Sequence, residues 1–188
     1  MQAFEFLTAF VAILIGLAIA DLATSLHRLL RARDRVKWDW ATPAAAAMVA
    51  IQVMAQFWVF WFSRGERIYT FASTFALTAV LVLAFLVASA VLPDEVPAEG
   101  IDLRVFYEKN RRYLWSLEAL YVATVTFQEW DKFGTAEHRL DLRGNAIGFV
   151  QAIAAILFRW RWLQAVVLAS YLIALIGRYF VWTTEGGF

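Results

Sequence analysis

Two carboxylates, Asp21 and Glu118, stand inside stretches that are otherwise apolar. An ionisable group in an apolar phase costs roughly 2.5–3.5 kcal/mol on membrane-insertion scales, so its retention asks for a reason. If the two stretches touch, the acids share one level and could bind a cation or share a proton. Pairing with arginine is the simpler alternative. Arg28 falls nearly on the helical face of Asp21, and Arg111 and Arg112 lie shortly before Glu118. Such pairing, with the long side chain reaching outward, lowers the cost without any function.

Uncharged polar residues form two further patterns. Gln164, Tyr171 and Arg178 recur every seventh residue with Ser170 adjacent, and Gln52 and Gln56 are four apart. Each set lies along one helix face, drifting about 20° per heptad. Either set could line a watery path, or it could supply interhelical hydrogen bonds worth about 0.6 kcal/mol each. Arg178 and Glu5 would fall at the same end of their helices, where an ion pair would close a bundle. His27 and His138 invite a metal reading, the second beside Glu129, Asp131 and Glu137. A metal site needs three or more converging ligands, and neighbours on a helix point apart, so a solvated cluster is expected and no metal.

Other chemistries are poorly served. With 0 Cys there is no disulfide, thiolate ligand or Cys nucleophile, and 2 His fall short of a bis-haem bundle. No cofactor is expected. No GxSxG, HExxH or P-loop pattern occurs, and Ser25 and Ser116 lack a recognisable base. The sequence therefore reads as a non-enzyme.

The elements that must position these residues follow from composition. Hydrophobic residues make up 62% of the 188, charged residues 18%, and the mean hydropathy is +0.60. Soluble domains carry about 45–50% apolar and about 25% charged residues, so lipid must absorb the excess. The expected fold is an all-α polytopic membrane bundle forming a single domain. At about 20 apolar residues per span, six spans are expected at 4–26, 41–62, 68–92, 113–130, 146–158 and 163–182, with an amphipathic interfacial segment at 101–112. The start, MQAFEFLTAF, has no basic residue before its apolar run and reads as a retained first helix. Ala12, Gly16, Ala20 and Thr24 recur every fourth residue along it, a small-residue stripe suited to helix packing. Most of the 9 Trp sit at span ends, as interfacial aromatic belts do.

Eleven of the 17 Lys and Arg fall on connections one, three and five. Those connections are expected to face the cytoplasm, with both termini outside. Asp21 followed by His27-Arg28-Leu29 echoes Asp131 followed by His138-Arg139-Leu140, with Gln52 and Gln151 each in the next span. That is the pattern of a 3+3 inverted repeat, in matches short enough to arise by chance.

GLAIADLATSLHRLLRARDRV with its trailing WDW, and IDLRVFYEKNRRYLWSLEALY, resemble segments of uncharacterised bacterial multi-pass inner-membrane proteins of similar length. The resemblance covers about half the chain. It implies a bacterial inner membrane and no activity. Two functions fit: a small oligomeric ion or proton channel or transporter, or a non-catalytic scaffold, sensor or accessory subunit. The expected partners are the lipid bilayer and either a second copy of the chain or a larger membrane complex. A net charge of +1 gives no reason to expect nucleic acid.

Overall fold

A computed structural model of the chain describes the backbone of residues 3–62, 70–128 and 138–185, and the side chains of 5–61, 70–128 and 143–178. The described residues form six α-helices: α1 Ala3–Arg31, α2 Ala41–Phe62, α3 Phe71–Val91, α4 Leu103–Gln128, α5 His138–Leu157 and α6 Arg161–Glu185. A short 3-10 turn, Arg33–Arg35, and two two-residue strands, β1 Val36–Lys37 and β2 Ile101–Asp102, complete them.

Local sequence explains the helix ends. Thr70 and Ser73 form a reciprocal capping box at the start of α3. Leu92 is extended because Pro93 follows it, and α3 stops there. The Asp102 carboxylate accepts from the backbone N–H of Arg104 and Val105, at 3.0 and 3.2 Å, and starts α4. From Leu103 to Gln128 there is neither Gly nor Pro. The interfacial piece expected at 101–112 and the span expected from 113 are therefore one continuous helix. Likewise residues 138–145, expected to precede the fifth span, are the first two turns of α5.

The helices alternate in direction, so connections one, three and five gather at one end of the bundle. There β1 and β2 pair in parallel, Val36 with Ile101 and Lys37 with Asp102. Arg28 donates to the Asp94 carbonyl, Arg35 to the Ala98 carbonyl at 3.4 Å, and Arg161 meets Asp39 at 2.6 Å. Gly100 sits in this seam with φ +94°, and a Cβ there would collide with the Arg35 carbonyl. Gly100→Ala should therefore destabilise the protein by about 1–3 kcal/mol, read as a lower melting temperature in detergent. A melting temperature equal to the wild type would show that the seam does not constrain this backbone.

The surface carries the apolar residues. Ile13 is 62% exposed, Phe75 67% and Ile173 71%, with Met54, Ile147 and Val150 also outward. Gln52, Arg111, Glu118 and Gln164 are buried. Apolar outside and hydrogen-bonded polar inside is the distribution expected of a membrane protein. Among the described residues, four helices are long and apolar enough to cross a membrane: Glu5–Arg31, Ala41–Trp61, Phe71–Val91 and Arg161–Arg178. Of the six expected spans, the first, second, third and sixth meet this measure. The first half of α4 carries too many charges, and the apolar part of α5, Arg143–Leu157, is too short. The inverted repeat gains no support: α1 packs along α3, whereas their counterparts α4 and α6 meet chiefly through side-chain hydrogen bonds.

The small-residue stripe of α1 is not its inward face within the chain. Ala12, Gly16, Ala20 and Thr24 are all exposed, and a Cβ on Gly16 would touch nothing. The inward seam of α1 is instead Leu7, Val11, Ala18, Ser25 and Leu29. Leu7, Val11 and Leu29 fill the space between helices there.

Candidate functional site

The buried face of α4 is unusually polar. Tyr107, Arg111, Trp115, Glu118 and Tyr121 follow one another at helical spacing among Leu103, Leu114, Ala119 and Val122. At 1.5 Å per residue the polar groups form a column about 21 Å long. In a site with little water each of these groups must find a partner, and α2, α5 and α6 supply them.

The upper part of the column lies toward the end where the odd connections meet. Arg111, only 4% exposed, donates through Nη1 to the carbonyls of Ala155, Ile156 and Phe158, the last two at 3.1 and 3.0 Å. Gln164 Nε2 donates to the carbonyls of Ala155 and Phe158, at 3.2 and 2.9 Å. Together they cap the C-terminal end of α5, whose carbonyls are otherwise orphaned and carry the negative end of the helix dipole. Tyr107 donates to Gln164 Oε1 at 2.8 Å and accepts from the Trp115 indole at 3.1 Å.

The lower part centres on Glu118, which is fully buried. Tyr171 donates to its Oε1 at 2.6 Å, and Gln52 Nε2 donates to its Oε2 at 3.2 Å. One turn further, Gln56 donates to the Tyr171-like phenol of Tyr121. No cationic side chain among the described residues pairs with Glu118. Gly148 of α5 makes room for Tyr171, whose hydroxyl would lie 3.2 Å from any Cβ there. Gln52 Oε1 is buried and has no hydrogen-bond partner among the described residues. It is the acceptor that a protonated Glu118 would use once the Gln52 amide rotates, so the pair can satisfy either protonation state. Between the two parts stands Trp115, wholly buried, with its ring 6.2 Å from that of Tyr171.

Five candidates from the sequence, Glu118, Gln52, Gln56, Gln164 and Tyr171, therefore converge on this column. Asp21 does not join them. It accepts from Ser89 of α3 at 2.6 Å, so the two carboxylates have no partner in common and do not form a shared site. Neither acid takes the arginine expected for it: Arg28 goes to Asp94 and Arg111 to the end of α5. Arg178, toward the far end of α6, has a partner of its own. Ser170 accepts from Gln151 at 2.9 Å, across the α5–α6 hairpin. Glu129, Asp131 and Glu137 lie outside the described residues, as does the side chain of His138. Tyr107, Trp115 and Tyr121 escaped the sequence reading, and Arg111 entered it only as a partner for Glu118. Continuing the 3.6-residue period of α4 through 101–112 would have placed them on the face of Glu118.

No known protein family, characterised protein or solved structure is similar enough to the chain to lend it an activity.

Proposed function

We propose that this protein handles protons in the membrane, as a small oligomeric channel or transporter with Glu118 as the proton-binding group. The observation that carries this reading is a fully buried carboxylate held only by the neutral groups Gln52 and Tyr171, with no positive partner among the described residues. A carboxylate kept for structure alone would be expected to sit against an arginine, because an uncompensated charge in low dielectric is expensive. An acid that alternates between charged and neutral needs partners serving both states, and Gln52 and Tyr171 are of that kind. The reading includes α4 as a membrane-crossing helix, a bacterial inner-membrane setting, and the odd connections on the cytoplasmic side.

The test is proton flux into proteoliposomes holding a pH-sensitive dye, driven by a pH gradient or a potassium-set potential. Wild type should acidify the lumen faster than empty vesicles. Glu118→Gln keeps the size and hydrogen-bonding capacity of the side chain but cannot ionise, so flux should fall to the empty-vesicle rate. Wild-type flux no greater than that of empty vesicles, or undiminished flux through Glu118→Gln, would discard this function. A non-conducting scaffold or accessory subunit is the second reading. The stripe Ala12, Gly16, Ala20 and Thr24, exposed among the described residues, favours it.

A further inference from the structure

At the end where the odd connections gather, the bundle holds a cavity of about 260 Å³. Four guanidinium groups line it, Arg104, Arg111, Arg159 and Arg161, together with Trp40 and a single carboxylate, Glu108. Glu108 is shared by Arg104 at 3.1 Å and Arg161 at 3.8 Å, while Asp39, behind the wall, holds Arg161 at 2.6 Å. Arg159 has no ion pair among the described residues. Positive charge therefore exceeds negative charge around this partly open cavity.

Three structural features strengthen that field. The α6 helix begins at Arg161 in the cavity wall, so its first N–H groups and positive dipole end lie there. The opposing C-terminal end of α5 would repel an anion, but Arg111 and Gln164 occupy its carbonyls. Outside, Phe158, Trp160 and Trp162 stack in series, with centroids 5.3 and 5.8 Å apart and both indoles more than half exposed. Such a ladder belongs at headgroup level, where lipid phosphates lie. At about 30 Å³ per water, the volume holds a phosphate group with several waters.

We infer that this cavity is a binding site for a phosphate group, carried by an anionic lipid headgroup or free in solution. Forked guanidinium donors match phosphate oxygens in pairs, and Arg159 supplies the uncommitted fork. The inference is independent of the proton reading, because it concerns binding at a different place on α4.

The test is thermal melting of the full chain in a non-ionic detergent, followed by tryptophan fluorescence. Inorganic phosphate and short-chain phosphatidylglycerol are each compared with sodium chloride at equal ionic strength. Binding at a hundredfold excess over Kd should raise the melting temperature by about 5–10 °C. A rise with the lipid alone assigns the site to headgroups, and a rise with inorganic phosphate alone assigns it to the free ion. The double variant Arg104→Gln/Arg159→Gln changes exposed side chains and should keep the basal melting temperature while losing the rise. Glu118→Gln should retain it. No rise from either probe, or an equal rise in the double variant, would overturn the inference.

Discussion

Replacing Arg111 with leucine should destabilise the protein strongly, at a cost of about 3–5 kcal/mol. The guanidinium is buried and its Nη1 serves three carbonyls at the end of α5. Leucine of similar bulk fills part of the space but leaves those acceptors without a donor, and hydrogen bonds to charged groups are worth about 1.5–3 kcal/mol each. Gln164 covers Ala155 and Phe158 but not Ile156, so it cannot take over the whole cap. Lysine should recover only part of the loss, because a single ammonium cannot reproduce the planar fork. The measurement is the denaturation midpoint in mixed micelles for wild type, Arg111→Leu and Arg111→Lys. Should Arg111→Leu lie within about 1 kcal/mol of wild type, the cap is dispensable and α5 is held by packing alone.

The converging residues could be found from the sequence for a physical reason. Gln52, Gln56, Gln164 and Tyr171 lie on helices that are otherwise apolar, and a polar group there must turn inward to find a partner. Their spacing of four and of seven then places each set on one face. The gathering of connections one, three and five at one end also follows from helices that alternate in direction. What stayed hidden is which faces meet. A small-residue stripe such as Ala12–Gly16–Ala20–Thr24 suits a close helix neighbour, yet it costs nothing when turned outward. The inward choice fell to Leu7, Val11, Ala18 and Leu29, whose fit depends on α2 and α3. Arg111 was obscured differently. Its charge suggested an interfacial segment, and only the end of α5, more than forty residues later in the chain, provides the acceptors that let it be buried.

Trp115→Ala should have two separable effects, a loss of about 3–5 kcal/mol in stability and a gain in proton flux. The indole is wholly buried, donates to Tyr107 at 3.1 Å and packs on the Tyr171 ring. In lipid the loss comes mainly from van der Waals contacts, since the cavity left behind has no side chain to refill it. Flux should change because the indole N–H can donate a hydrogen bond but cannot accept one, so no proton can be handed through it. Trp115 thus separates the Tyr107–Gln164 pair above from Glu118 and Tyr171 below. Removing it opens a space with polar walls on both sides, the kind that water enters, whereas an apolar cavity stays dry. Trp115→Phe restores most of the bulk and should keep flux near wild type, losing only the hydrogen bond to Tyr107. Denaturation midpoints and dye-reported flux on the same three preparations decide the matter. A Trp115→Ala protein that is destabilised yet conducts no faster than wild type would show that the column is a set of interhelical bonds with no proton passing along it.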